Sequence, residues 1–114
     1  MAEAADAVFV RLGGGTASNI DIIVSIAERH RLPGTYPTRA FVTAGGLMAY
    51  EARESDSQRR VADYVDRILH GAKPADLPVE LPMTFDFVVN MKTARELGIT
   101  FPHEILLQIT EVVE

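Results

Sequence analysis

The chain has 114 residues, eleven of them basic and sixteen acidic, for a net charge of −5, with no cysteine and no tryptophan. That length admits one domain and argues against two, and a composition 47% hydrophobic and 24% charged sets aside disordered, collagenous and low-complexity chains. The acidic balance offers no attraction to nucleic acid or an anionic membrane, and the lack of cysteine removes disulfide scaffolds, cysteine-ligated zinc and thiol nucleophiles.

A membrane span needs about 20 mostly apolar residues, and the richest stretch, 20–27, is broken by Asp21 and Ser25. The first six residues hold two acids and no basic residue ahead of an apolar run. A secretory signal is therefore not expected, and the chain as written would stay in the cytoplasm.

In chain order, Ala7-Val8-Phe9-Val10 reads as a short buried strand ended by Gly13-Gly14-Gly15. Ser18 or Asn19 can cap a helix over 20–31, with Ile22, Ile23, Ile26 and Ala27 on one face. Leu32-Pro33-Gly34 stops it, the glycine accepting a positive φ. A brief strand near Thr35-Tyr36, a short helix over 38–42, the Ala44-Gly45-Gly46 break and an apolar run over 47–50 follow. The clearest helix spans 57–70: Val61, Tyr64, Val65, Ile68 and Leu69 share a face and Gly71 supplies the stop. Residues 73–82 hold Pro74, Pro78 and Pro82, which predicts an ordered extended connector. Phe85, Phe87 and Val89 alternate as a strand, Asn90 can cap a helix over 91–97, and Gly98 ends it. Pro102 opens a last helix that carries Ile105, Leu106 and Ile109. Strand and helix alternate almost throughout, so the expected class is α/β with a mainly parallel sheet in a single segment, 1–114.

Chemistry-bearing patterns are sparse. Gly13-Gly14-Gly15-Thr16 lies between a strand and a helix start, where backbone N–H groups and the helix dipole suit a phosphate or carboxylate; a plain surface turn is the other reading. It is no dinucleotide fingerprint, because Ser18 stands at the third glycine position, and no Gly-Lys-Ser/Thr is present. His30 and His70 fall at predicted helix C-termini, where a cation complements the dipole, and His103 sits beside Glu104 without a nucleophile. No metal-ligand spacing and no Gly-x-Ser-x-Gly elbow occurs, so no catalytic residue, metal or cofactor is expected. Ligands of open α/β sheets bind beyond the carboxyl ends of the strands. Those ends nominate Gly14, Gly15 and Thr16, then Tyr36 and Arg39, then Tyr50 and Glu51. The tyrosines offer aromatic faces and hydroxyls, or simple packing, and Arg39 a carboxylate clamp.

The order of residues then becomes familiar. Ala44-Gly45-Gly46-Leu47-Met48-Ala49-Tyr50 is similar to the AGGLMSYG segment of bacterial ABC transporter substrate-binding proteins. The resemblance continues through Arg60-Val61-Ala62-Asp63-Tyr64-Val65-Asp66-Arg67-Ile68-Leu69, through 71–80, and through Asn90-Met91-Lys92-Thr93-Ala94 and Leu97-Gly98-Ile99. It covers nearly the whole chain, and its longest specific run is 64–82.

The resemblance implies the C-terminal third of a type I periplasmic-binding-protein-like fold, in which two α/β lobes close on a small molecule such as an amino acid, without chemistry, and dock on an ABC permease. It implies a periplasmic or extracytoplasmic place for the family, and a 57–70 helix that packs on a first lobe absent here. Two departures bear on the ligand: the family's Ser-Tyr-Gly reads Ala49-Tyr50-Glu51, and the first strand leads into Gly13-Gly14-Gly15-Thr16 where relatives carry aspartate, proline and an aromatic residue. The competing expectation is a truncated interaction domain that binds no solute and self-associates through the uncovered apolar face of 57–70.

Overall fold

The computed structural model describes residues 4–114. They form two compact units, 4–51 with 86–114, and Ala52–Phe85.

The first unit holds most of a five-stranded sheet in the order β1-β2-β3-β4-β5, where β1 is Val8–Phe9, β2 Gly34–Tyr36, β3 Met48–Ala52, β4 Phe85–Asn90 and β5 Glu111–Val113. The β1–β2, β2–β3 and β4–β5 pairs are parallel. The β3–β4 neighbours run oppositely: the Asn90 N–H donates to the Leu47 carbonyl at one end, and the Arg53 N–H to the Thr84 carbonyl at the other, each at 2.9 Å. The fold is thus α/β with a mostly parallel sheet, as the alternation of patterns predicts.

Helix α1, Ile20–Arg29, buries Val24 and Ala27 and packs Ile20 and Ile23 against Tyr36 and Phe41. Its core stripe is rotated from the expected one: Ile23 and Ala27 face inward, but Ile22 and Ile26 are exposed on the opposite side. Asn19 donates its side-chain amide to the Gly15 carbonyl at 2.6 Å and makes no cap bond to α1. The left-handed residue after the helix is Arg31 (φ 52°), not Gly34. Arg31 in that conformation reaches across to the Glu96 carbonyl at 2.8 Å. Gly34 instead opens β2 under the Tyr36 ring, where an added Cβ would lie 2.6 Å from ring atoms.

Helix α2, Arg39–Thr43, contributes the fully buried Phe41 and Val42; Phe41 stacks on Tyr36 with centroids 5.3 Å apart, and Val42 packs with Ala49, Val88 and Val113. Helix α4, Met91–Leu97, starts at the predicted cap: Asn90 Oδ1 accepts the Thr93 N–H at 3.0 Å, while Nδ2 donates to the Val42 carbonyl at 3.2 Å. Gly98 closes it at φ 72°.

The expected last helix is shorter than its apolar spacing suggests. Helix α5 is only His103–Leu106, and Ile109 lies beyond it in the approach to β5. The Thr110 N–H donates to the Phe87 carbonyl at 2.9 Å and its hydroxyl accepts the Phe87 N–H at 2.8 Å, which fastens the new strand to β4.

The Ala52–Phe85 unit is built on α3, Glu54–Leu69. Its connector is ordered as the prolines suggest: the Tyr64 hydroxyl donates to the Pro78 carbonyl at 2.6 Å and Arg60 pairs with Glu80. No residue of this unit is buried.

Candidate ligand-binding site

Because β1, β2 and β3 are parallel and β4 and β5 run against them, one edge of the sheet gathers the carboxyl ends of the first three strands and the beginnings of the last two. In the first unit that edge carries the 13–16 turn, Arg39, Tyr50, Glu51, Asp86, Phe87, Thr110 and Glu111.

Arg39 does not stand open to a ligand. Its Nε donates to Glu111 Oε1 and Oε2 at 2.8 and 3.0 Å, and its Nη2 to Oε1 at 2.5 Å. These hydrogen bonds, with the attraction of the guanidinium, hold the Glu111 carboxyl below the usual glutamate range; burial and Asp86 oppose them. The same hydrogen bonds from the other side raise Arg39. Glu51 is likewise engaged within the chain. Its Oε1 accepts the Arg39 backbone N–H at 2.9 Å, so it caps the first amide of α2 where Thr38 makes no side-chain cap. A carboxylate at a helix start is favoured by the dipole. Arg39, Glu51 and Glu111 therefore form one charged network.

Tyr50 points to the other sheet face, since side chains alternate along β3 and Ala49 packs on Val42. Its ring meets Phe87 edge-on, centroids 6.3 Å apart, and is 60% exposed. The exposed Tyr50 ring, backed by the half-buried Phe87, is a surface that can take the apolar part of a small molecule.

The 13–16 turn uses half of its amides internally. Thr16 Oγ1 accepts the Gly13 N–H and donates to the Gly13 carbonyl, both at 3.0 Å, and the Thr16 N–H returns to the same carbonyl at 3.2 Å. The Gly14 and Gly15 amides are the two that the turn does not consume. Gly15 takes φ 93°, a conformation that favours glycine.

Tyr36 does not join this edge. It is 2% exposed, its ring lies over Gly34 and Gly46, and burial pushes its hydroxyl pKa up. It forms part of the floor of a groove of about 660 Å³ at the far end of the sheet, with Val24 and Leu47, between rims that include Arg31 and Lys92. Glu111 and Phe87 are the residues that sequence reasoning passes over. Phe87 was legible as a strand residue, and its place at the edge follows only from the β3–β4 reversal; Glu111 follows only from β5. Among the described residues no group of three or more histidines and acids is placed to hold a metal ion.

The sequence profile of the ABC transporter substrate binding protein family matches residues 1–113. The chain belongs to that family. Solved structures of similar fold include a conserved domain protein from Vibrio cholerae, 27% identical with a TM-score of 0.85, matched over 96% of this chain and 37% of its own. Another is an ABC domain from Streptococcus pneumoniae in complex with L-Trp, 33% identical with a TM-score of 0.83, matched over 95% of this chain and 38% of its own. A ligand-free, open substrate-binding protein with adhesive properties from Clostridium difficile is similar in fold, at 23% identity and a TM-score of 0.69 over 94% of this chain and 36% of its own. This member of the substrate-binding family thus spans less than two fifths of the length of these structures. No curated protein matches the chain. Among the described residues no helix is long and apolar enough to cross a membrane.

Proposed function

We propose that the chain is a solute-binding element of an ABC-type importer that holds a small molecule, such as an amino acid, at the sheet edge and performs no chemistry on it. The observation that carries this reading is the exposed Tyr50 ring against the half-buried Phe87, at the same sheet edge as the Arg39–Glu51–Glu111 network, in a chain 33% identical to a domain that was solved with L-Trp. Tyr50 and Phe87 take the apolar part of the solute, and the Gly14 and Gly15 amides with Thr16 take its carboxylate, because Arg39 is already held by Glu111. Tyr36 supports the site only through the core.

In the two-lobed reading, the first unit belongs to one lobe and residues 57–70, within the separate Ala52–Phe85 unit, to the other. The partners of the complete assembly are the solute and an ABC permease, in an extracytoplasmic setting. A half-site closes on less of the solute than two lobes do, so millimolar binding is expected. At 10 mM ligand and a dissociation constant near 1 mM, binding stabilises the chain by about 1.4 kcal/mol, a rise of roughly 6 °C in melting temperature for a chain of this size.

Thermal unfolding is the measurement, with L-Trp, the other L-amino acids and small carboxylates each at 10 mM. A rise with one of them that Tyr50→Ala abolishes is the expected result. No rise with any of these compounds would remove the reading for this chain.

A further inference from the structure

We infer that the groove at the far end of the sheet is a second small-molecule site, which takes an uncharged, mainly apolar compound through a hydrogen bond from Tyr36 to its carbonyl or phenol oxygen. It does not rest on the solute reading, and every residue that lines it belongs to the first unit.

Two helices and a turn enclose the groove. Val24 and Ala27 of α1 line one wall, Thr93 and Leu97 of α4 another, and Gly45-Gly46 completes the lining without a side chain. The Thr93 hydroxyl donates to the Gly45 carbonyl at 2.9 Å and so fixes α4 to the turn. Arg31, at φ 52°, ties the end of α1 to the end of α4 by its 2.8 Å bond to the Glu96 carbonyl. The space left, about 660 Å³, falls within the range of small-molecule pockets, about 300–1,000 Å³. It would hold less than two turns of a helix about 10 Å across, so a compact molecule suits it better than a packed segment of chain.

The floor supplies a polar anchor. The Tyr36 ring runs back from the end of β2 over Gly34, which carries its hydroxyl toward the groove's end of the sheet. Tyr36 is 2% exposed, and its oxygen has no hydrogen-bond partner among the described residues. No completely buried side-chain polar atom among them lacks a partner. The Tyr36 oxygen therefore opens on the groove that its side chain lines. Burial keeps the phenol protonated, a donor in want of an acceptor.

The rim selects against charge. Arg31 and Lys92 are matched there by Glu28 and Glu96, and Glu114 pairs with Arg95 at 3.7 Å. Balanced charges give no net attraction to an anion or a cation. An ion placed beside Val24, Leu47 and Val113 would also lose more hydration than a neutral analogue.

The test is a titration of the full chain with acetophenone, read from backbone amide NMR spectra. Saturable shifts are expected at Ala27, Arg31, Gly45, Gly46 and Leu97, and none at 13–16 or Tyr50. α-Methylstyrene has the same shape with a methylene in place of the oxygen, and should bind about fivefold more weakly, the worth of one neutral hydrogen bond. Tyr36→Phe should bring acetophenone down to the hydrocarbon's affinity. If that variant does not fold, the two compounds compared on the natural chain still decide. Benzoate and benzylammonium should both bind more weakly than acetophenone. The proposal is overturned by the lack of any saturable shift, by shifts centred on 13–16, by equal binding of acetophenone and α-methylstyrene, or by tighter binding of either ion.

Discussion

Arg39 and Glu111 show how a single strand residue redirects a candidate binding group. An arginine at a strand end suits a solute carboxylate, yet here the carboxylate comes from the chain itself, at 2.8 and 3.0 Å from Nε. Both partners are largely solvent-accessible, so the pair adds only modestly to stability. Its pH dependence has a definite sign. The folded-state pKa of Glu111 is lowered, chiefly by the hydrogen bonds from Arg39. The stabilisation is therefore complete above the unfolded glutamate's pKa, about 4.3, and is lost as pH falls through the lower folded value. Urea midpoints measured from pH 7 downward should fall less steeply on the acid side for Glu111→Gln than for the natural chain. Parallel acid limbs would show that the pair is not populated in solution. At this scale, too, Tyr36 differs from its sequence reading: a tyrosine after a strand looks like a ligand face, but Gly34 and Gly46 leave room for its ring and draw it into the core.

Elements held by local signals were legible, and elements held by distant partners were not. Helices α3 and α4 carry both their period and their stops in the sequence, and the Asn90 cap was readable from its place before Met91. The sequence did not reveal that the same side chain also donates to the Val42 carbonyl, 48 residues away. Asn90→Ala removes a helix cap and leaves a buried carbonyl without its donor, for an expected cost of about 2 kcal/mol. A urea midpoint that falls accordingly at unchanged slope is the check; a change below about 0.5 kcal/mol would mean that water replaces both bonds. Strand β5 is the converse case. Ile105, Leu106 and Ile109 have helical spacing after Pro102, but only four residues form the helix, and Glu111–Val113 becomes a strand through its register with Val88, Val89 and Asn90. Three residues are too few for alternation to show. With β5 unseen, Glu111 could not be placed beside Arg39, so the network at the candidate site was out of reach of sequence reasoning. The reversal at β4 was equally invisible, because direction is set by pairing and not by composition.

The whole molecule divides by how much each part buries. The first unit holds every buried core residue, among them Phe41, Val42, Val88 and Val89. The Ala52–Phe85 unit holds none, and the hydrogen bonds of α3 face solvent around most of the helix. Regions with few buried apolar contacts open locally at low free energy, while core elements exchange only through larger openings. Amides of α3 should therefore exchange at least about 100-fold faster than those of β4 and α1, a ratio equal to about 2.7 kcal/mol between the two openings. Hydrogen exchange followed by mass spectrometry reads both segments in one experiment. Amides of α3 as protected as those of β4 would show that the Ala52–Phe85 unit does not open separately from the first unit.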